Sequence, residues 1–390
     1  MKKIDTSIVE LEQLAKAGAY FISGWDKSED EIEAPIGIVE KAIRLPEYNR
    51  YFFMSTIPET KVKFCENLLL HEKISVGVKH ISIAPSGTSA MFLSILVIKD
   101  IYTISNVLLI SPTYYANIKT VQTLGMNLFY FQSSLFEEYA IDLVKFEENI
   151  LKNKIQLIIL VDPLFGSGVS IDLPLYRNII EIADRHNVWV LIDYIYGGMN
   201  WGESATIVNK PLVDMVTQSP KVVLVESISK RLFLNGMKNA IIYANPQLVE
   251  KIDEMSESFV GSISCTQHEM FNQLYDSQNR KTVLASIDKN IKYLSDTFET
   301  VKSSLLGSNS LFSLVDCGYF FLMGIPIDRI GGLVDMKAAL SIADKTNIVT
   351  IPHSRYLFEL PNYYTFRVNL SMEKTSLLKN INILRDAYLN

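Results

Sequence analysis

The amino-acid sequence predicts an α/β protein with a mainly parallel sheet, and three observations support this fold class. From about residue 80, short β-branched runs alternate with longer amphipathic stretches, as in a sheet covered by helices. The short runs are apolar almost throughout, which is expected of strands buried on both faces. The chain has 390 residues, more than a single hydrophobic core usually holds, so we expect a large and a small domain.

The predicted strands of the sheet follow one another between residues 106 and 243. Near-continuous apolar runs place them at residues 106–110, 156–161, 188–192, 221–225 and 240–243. Helices are expected between them. After Pro174, for example, apolar residues recur at helical spacing as far as His186, and the next strand follows directly. This alternation predicts a three-layer α/β/α arrangement for the large domain.

The chain beyond residue 261 is expected to leave this sheet. Residues 262–306 contain neither Gly nor Pro, and apolar residues recur there at three- and four-residue steps. This pattern predicts a long helix, or a pair of helices, that links two domains. Beyond Gly307, GYFFLMGIPI and FRVNL are strand candidates with one further helix, which predicts a smaller α+β domain.

Composition and charge argue against several classes of protein. With 48% hydrophobic and 21% charged residues, the chain can bury a large core and is expected to be globular. No basic run stands out at a net charge of −6, so nucleic acid is a poor candidate partner. The apolar runs are far shorter than the ~20 residues of a membrane-spanning helix. Without a signal-peptide pattern, the protein is predicted to be cytoplasmic and soluble.

The three cysteines do not suggest a covalent or metal framework. Cys65, Cys265 and Cys317 are far apart, odd in number and without C-x-x-C spacing. Neither a disulfide framework nor a zinc site is therefore predicted, and no other metal is expected.

Lys230 is the first candidate for a catalytic residue. In VVLVESISKRLFLNG it follows a buried strand, with Ser227 and Ser229 before it and Lys238 beyond it. A lysine in such a place is unusual, because lysines mostly lie on solvated surfaces. Desolvation and a neighbouring cation would lower the pKa of its amine and favour a nucleophile and general base. Taken alone, a surface lysine remains the more common interpretation.

Asp193 and Tyr196 close the strand VWVLID in the segment IDYIYGG. A carboxylate at the end of a fully apolar run needs a cationic partner, and a protonated ring nitrogen of a ligand would supply one. The hydroxyl of Tyr196 could bind a ring oxygen of the same ligand. The alternative for Tyr196 is a packing tyrosine with a satisfied hydroxyl.

Small polar residues precede an apolar helix in IAPSGTSAMFLSILVI. Ser86, Gly87, Thr88 and Ser89 would place free backbone amides and hydroxyls at the start of that helix, where a phosphate binds well. An ordinary N-cap has the same appearance and is far more frequent. In SPTYYANI, Tyr114 follows a strand and a proline, where its ring could stack on a flat ligand.

Arg367 stands within the apolar strand candidate FRVNL. An arginine in such a strand favours a planar anion, and the α-carboxylate of a substrate would fit its fork of donors. An ordinary ion pair between strands is the competing interpretation. Together these candidates meet the needs of pyridoxal phosphate: a lysine for its aldehyde, donors for its phosphate, an acid for its ring nitrogen and a donor for its ring hydroxyl.

In this order, the motifs resemble those of the fold-type I pyridoxal-phosphate enzymes of the class I/II aminotransferase family. SGTSA resembles the family's phosphate-binding helix start, PTY its ring-stacking site, DPLFGSG its Asn-Pro loop, DYIY its Asp-x-x-Tyr, SISKRLFLNGMK its Ser-x-x-Lys motif and FRVNL its carboxylate-binding arginine. The resemblance covers nearly the whole chain. It implies that Lys230 holds the cofactor as a Schiff base.

The same resemblance implies the organisation of the molecule. It implies a seven-stranded sheet in a large cofactor-binding domain at residues 46–265, and a small domain at 1–45 and 266–390 that includes the linking helix. A homodimer with active sites at the interface is expected, and Tyr51 in YNRYFFMST would reach the phosphate of the neighbouring subunit. Gly24 in ISGWD falls where the family has a glycine that contacts the substrate.

Two positions depart from the family's pattern. Phe165 in DPLFGSG stands where the family usually has an asparagine that donates to the ring hydroxyl, so Tyr196 would hold that oxygen alone or with water. Lys238 stands where an arginine commonly meets the phosphate, which keeps the charge but loses the fork of donors.

The resemblance implies an aminotransferase that acts on an amino acid and a 2-oxo acid by a ping-pong mechanism. Lys230 would remove the α-proton of the substrate while Arg367 holds its carboxylate. A pyridoxal-phosphate-dependent lyase, cyclase or synthase remains open, because one cofactor cage supports several reactions. A non-catalytic protein of the same fold is a further alternative. The substrate stays undefined, although Arg355 in IPHSRYLF is a candidate for a second carboxylate.

Overall fold

The computed structural model describes residues 7–25, 34–44, 48–53, 57–66, 76–134, 141–201, 209–313 and 315–390. The strands are β1 (Tyr20–Phe21), β2 (Ile81–Ala84), β3 (Asn106–Ser111), β4 (Asn127–Gln132), β5 (Leu157–Val161), β6 (Trp189–Tyr194), β7 (Val222–Glu226), β8 (Ala240–Tyr243), β9 (Leu311–Phe312), β10 (Phe320–Pro326), β11 (Ile348–Val349) and β12 (Tyr363–Asn369). The helices are α1 (Val9–Lys16), α2 (Ile36–Arg44), α3 (Pro58–Glu66), α4 (Gly87–Tyr102), α5 (Tyr115–Thr123), α6 (Leu143–Asn153), α7 (Leu173–Arg185), α8 (Asn209–Gln218), α9 (Ile228–Arg231), α10 (Pro246–Phe259), α11 (Cys265–Leu274), α12 (Arg280–Leu305), α13 (Asp335–Thr346) and α14 (Lys374–Tyr388).

Seven strands form the central sheet in the order β2–β8–β7–β6–β5–β3–β4. The neighbours from β7 to β4 pair in parallel, and β8 is antiparallel to both β7 and β2. The predicted α/β fold class with a mainly parallel seven-stranded sheet is therefore confirmed. All five strands predicted from apolar runs are present, and β8 has the predicted bounds.

Two strands of the sheet are not among those predicted from the sequence. β4 is the last strand of the order, and all its residues are exposed or half-buried. Its apolar run covers only residues 128–131, between Asn127 and Gln132. β2 at the other edge has only four residues, which is too short for a period to be read.

Alternate side chains of each central strand belong to different layers. In β3, Leu108 and Ile110 join a core that includes Phe146 of α6, whereas Val107 and Leu109 join a core that includes Leu93 of α4. This alternation follows from the period of two in a strand. Because both faces are covered by helices, the three-layer α/β/α arrangement is confirmed.

A third hydrophobic core lies under a smaller antiparallel sheet with the order β12–β10–β9. β1, near the N-terminus, pairs in parallel with β11, and Leu11 and Ile22 pack in this core. The helix pair predicted between residues 262 and 306 is present as α11 and α12. The domain bounds stay a prediction, since α2 and α11 contact one another and contribute to the core of the large sheet.

Within the described ranges, no helix is both long enough and apolar enough to span a bilayer. The same ranges contain no cluster of three His, Cys, Asp or Glu side chains that could bind a metal ion. Cys65, Cys265 and Cys317 form no disulfide with one another, and Cys317 is buried.

Candidate active site

A cavity of about 300 Å³ lies beyond the carboxyl ends of β5, β6 and β7. Ligands bind at this end of open α/β sheets, because loops from several parallel strands meet there. Eleven residues singled out in the sequence line this cavity: Ser86, Gly87, Thr88, Tyr114, Phe165, Asp193, Tyr196, Ser227, Ser229, Lys230 and Lys238. Tertiary structure thus brings together side chains that are up to 152 residues apart in the chain, counted from Ser86 to Lys238.

Lys230 lies on the short helix α9, directly after β7. Its carbonyl oxygen accepts hydrogen bonds from the Tyr319 hydroxyl and from the Phe233 amide, the latter at 3.1 Å. Its Nζ lies 5.4 Å from the centroid of the Tyr196 ring. Burial lowers the pKa of Lys230 to about 8, and the cation of Lys238 adds to the effect. A larger share of the amine is therefore neutral than in an exposed lysine.

Asp193 is a buried carboxylate near the end of β6. Asn117 Nδ2 donates to its Oδ2 at 3.5 Å, and among the described residues Asp193 forms no salt bridge. Burial raises the pKa of Asp193 to about 6, against the opposing effects of Asn117 and Lys230. A cationic donor brought by a ligand would relieve this cost of burial.

The start of α4 forms one wall of the cavity. Ser86 is its N-cap, and its Oγ accepts from the Ser89 amide at 3.1 Å. The Ser89 hydroxyl lies 2.7 Å from the same oxygen and does not line the cavity. By helix geometry, the amides of Gly87 and Thr88 have no acceptor within the helix, so they can bind an anion.

Gly87 allows this helix to pack closely against the loop after β6. A Cβ atom at residue 87 would lie 2.3 Å from Cδ1 of Ile195. Any larger residue would therefore force the Ile195 side chain to move at the edge of the cavity.

Two serines connect the segment that carries Lys230 to the segment before β8. Ser227 Oγ donates to the backbone oxygen of Asn239 at 2.6 Å, and Ser229 Oγ donates to Asn239 Oδ1 at 3.0 Å. Gln267 Nε2 donates to the carbonyl oxygen of the adjacent Lys238 at 2.6 Å. These bonds hold Lys238 and the two serines at the same end of the cavity as α4.

Arg367 is fully buried in β12, beside the cavity. Its Nε donates to the Ser23 carbonyl at 3.0 Å, and its Cζ lies 3.5 Å from the centroid of the Trp25 ring, which does line the cavity. Its Nη1 and Nη2 have no hydrogen-bond partner in the described part of the chain. A buried guanidinium whose two terminal nitrogens lack partners fits a carboxylate in bidentate geometry.

Phe165 is one of several aromatic residues that line the cavity near Arg367. Its ring lies 5.3 Å from Tyr114 and 6.0 Å from Trp25, measured between ring centroids. Its carbonyl oxygen accepts from His353 Nε2 at 2.9 Å. Burial lowers the pKa of His353 to about 3, so the imidazole is neutral and its proton lies on Nε2. No amide donor occupies this position.

Three other candidates lie outside the cavity. Tyr51 is 74% exposed and stacks on Phe53 at 5.7 Å, so it does not reach the site of its own chain. The Gly24 carbonyl oxygen accepts from Asn369 Nδ2 at 3.3 Å. Arg355 Nε lies 3.4 Å from Asp335 Oδ1, away from the cavity lining.

Several site residues were not found in the sequence: Trp25, Tyr115, Asn117, Asn235, Asn239 and His353. Two of them stand next to residues that the sequence did indicate, since Trp25 follows Gly24 and Asn239 follows Lys238. His353 had none, because it contacts the Phe165 carbonyl only through the tertiary fold.

Comparison with known proteins places this fold and cavity in a family. The model of the family "Aminotransferase class I and II" matches residues 28–381. The chain therefore belongs to this family. Aspartate aminotransferase of Sulfolobus acidocaldarius is 23% identical over 202 residues, which are 51% of this chain and 49% of that protein. The match thus spans about half the length of that relative.

Solved structures share the fold at low sequence identity. YbdL from Escherichia coli, identified as having a methionine aminotransferase function, superimposes with a TM-score of 0.81 at 14% identity, over 99% of both chains. N-succinyldiaminopimelate aminotransferase of Mycobacterium tuberculosis gives 0.79 at 15% identity, over 97% of this chain and 96% of that one. Aspartate aminotransferase of Rhizobium meliloti gives 0.81 at 13% identity, over 100% and 99%.

Proposed function

We propose that this protein is a pyridoxal-phosphate-dependent aminotransferase that moves an amino group from an amino acid to a 2-oxo acid. One observation carries the proposal: Lys230 and Asp193 face the same cavity, beside the buried fork of Arg367. Membership of the class I and II aminotransferase family supports it.

The residues around the cavity fit this cofactor. Lys230 would bind its aldehyde, Asp193 its ring nitrogen and Tyr196 its ring hydroxyl, while Tyr114 would stack on the ring. The phosphate would be held by residues at one end of the cavity, namely Ser86, Gly87, Thr88, Ser227, Ser229 and Lys238, and Ser89 would support Ser86 from outside the cavity lining. When bound, pyridoxal phosphate withdraws electrons from the bonds at the substrate's Cα and carries the amino group between the two substrates.

Lys230 and Arg367 would have different roles toward the substrate. The unpaired Nη1 and Nη2 of Arg367 would bind the α-carboxylate and fix the orientation of Cα. The amine of Lys230, with its pKa of about 8, is suited to take the α-proton near neutral pH and to return it. Aromatic side chains around this position would exclude water.

Further features of the family belong to the same proposal. The protein would form a homodimer with Tyr51 of one subunit at the phosphate of the other, and its 74% exposure in the single chain is compatible with this role. Gly24 would contact the substrate, the large domain would span residues 46–265, and the location would be cytoplasmic. The substrates are an amino acid and a 2-oxo acid.

Phe165 favours a second candidate function, a lyase, cyclase or synthase that uses the same cofactor. Without an amide donor at this position, Tyr196 would hold the ring hydroxyl alone or with water, which would alter the protonation of the linkage to Lys230. The two functions differ in one respect. A transaminase converts its cofactor to the amine form when an amino acid is added without a 2-oxo acid, whereas the alternative enzymes retain the aldehyde form.

The experiment is an absorption spectrum of protein purified with excess pyridoxal phosphate, followed by borohydride reduction and peptide mapping. We expect a visible band and a reduced adduct on Lys230. Lys230→Ala should abolish both, whereas Lys292→Ala, at a lysine that is 75% exposed, should change neither. A colourless wild-type protein, or an adduct elsewhere, would refute the proposal.

A further inference from the structure

Arg231 and Glu226 form a buried ion pair next to Lys230, and the proposed chemistry gives this pair no role. Arg231 Nη2 lies 3.0 Å from Glu226 Oε1, and each side chain is only 1% exposed. Apolar residues of similar volume often replace such a pair without loss of stability, because desolvation of two charges offsets their attraction. Stability alone is therefore a weak reason for the pair.

The guanidinium of Arg231 also bonds to a second loop. Its Nε donates to the Gly197 carbonyl oxygen at 2.5 Å. Gly197 belongs to the loop after β6, next to Tyr196, and Asp193 lies at the end of β6 itself. We call Glu226, Arg231 and Gly197 the Arg231 bridge, since one side chain joins the end of β7 to the loop after β6.

A glycine makes room for the guanidinium of this bridge, and two further side chains bond to its ion pair. Gly198 has a φ of +70°, and a Cβ atom there would lie 2.9 Å from Arg231 Cζ, so glycine is needed where the guanidinium passes. Asn290 Nδ2 donates to the Arg231 carbonyl oxygen at 3.1 Å, and the Tyr243 hydroxyl donates to Glu226 Oε2 at 3.3 Å. Both partners of the ion pair are thus fixed from a further side.

The helix that carries Lys230 cannot fix it alone. α9 has four residues, about one turn, and a single turn has little stability of its own. Lys230 is directly followed by Arg231, so the bridge acts on the backbone one residue from the lysine. The bridge thereby links the backbone next to Lys230 to the loop after β6, close to Asp193 and Tyr196.

We propose that Arg231 is a positioning residue that holds Lys230 in register with Asp193 and Tyr196 through the Arg231 bridge. This inference rests on the proposed function. If the bridge is lost, the segment that carries Lys230 can shift relative to the loop after β6. A shift of about 1 Å in a reacting group can cost as much as a hundredfold in rate. Such a shift also changes the distance from the Lys230 amine to the charge of Asp193, which affects its protonation.

The test uses the holoenzyme of the double variant Glu226→Met with Arg231→Met, which removes both charges and leaves neither unpaired. We expect it to bind pyridoxal phosphate and to lose about ten- to a hundredfold in kcat with a smaller change in KM. The pH midpoint of the visible band, which reports the linkage at Lys230 without turnover, should shift. Tyr275→Phe is the matched control in the same buried cluster, because it removes a buried hydroxyl that has no hydrogen-bond partner among the described residues; it should keep both kcat and the midpoint.

A second variant keeps the test open if the double variant does not fold. Arg231→Lys retains a cation for Glu226 but loses the Nε donor to Gly197, so it should show the same fall in kcat and the same shifted midpoint. Wild-type kcat and midpoint in whichever variant folds would overturn the inference for Arg231 alone. A wild-type protein without cofactor on Lys230 would overturn the proposed function and this inference together.

Discussion

The pKa of Lys230 offers a prediction that needs no substrate and no cofactor. Burial is the main cause of its depression from 10.5 to about 8, followed by the charges of Lys238 and Arg367. The difference corresponds to about 3 kcal/mol between the charged and neutral amine. At pH 7, about a tenth of Lys230 would be neutral, a few hundredfold more than for a lysine of ordinary pKa.

The assay is amine modification of cofactor-free protein across pH, with the rate at Lys230 followed by peptide mapping. We expect a midpoint near pH 8. Lys238→Met should raise this pKa because a repelling cation is removed, and Asp193→Asn should lower it because an attracting anion is removed. Exposed Lys292 in the same digest is the internal control. A midpoint above pH 10 at Lys230, or the same direction of change in both variants, would refute the reasoning.

Three further predictions follow from the geometry of the site. Arg367→Lys keeps the charge but loses the fork, so kcat/KM should fall about ten- to a hundredfold in steady-state assays; an unchanged value would show that another group binds the carboxylate. Gly87→Ala places a Cβ 2.3 Å from Ile195 Cδ1, so the free energy of unfolding should fall by about 1–3 kcal/mol in denaturant titrations and cofactor affinity should weaken; wild-type values of both would contradict the packing. Lys230→Met should stabilise the cofactor-free protein by up to about 3 kcal/mol below pH 8, because the folded state there must protonate a buried amine whose folded pKa lies below the unfolded value. This gain should vanish as the pH rises from 8 to 10.5, and a gain independent of pH would contradict the assignment of the pKa.

The order of the motifs made the cofactor predictable before any contact was known. Ser86, Tyr114 and Lys230 each follow a strand of the sheet, and Asp193 lies at the end of one. Parallel strands bring their carboxyl ends to one edge. Polar residues at the ends of successive buried strands must therefore meet, whatever the length of chain between them. Arg367 was found for a related reason, because a charged residue within an apolar strand needs a partner.

The dimer contact assigned to Tyr51 and the substrate contact assigned to Gly24 stay predictions. Both depend on molecules outside a single chain. Arg355, the candidate for a second carboxylate, lies beside Asp335 rather than in the cavity lining. Arg355 belongs to a single 3₁₀ turn, His353–Tyr356, which is too short for a sequence period to indicate which way a side chain faces.

What the sequence determined by itself is the central strands of the sheet, the helices that cover them and most of the residues gathered at the carboxyl ends of these strands. These follow from local causes: continuous apolar runs in β5, β6 and β7, and polar residues at their ends. Only the tertiary structure decided the Arg231 bridge, the stacking of Trp25 on Arg367 and the bond from His353 to the Phe165 carbonyl. Each of these contacts joins residues distant in the chain. Its geometry depends on packing, which no local pattern encodes.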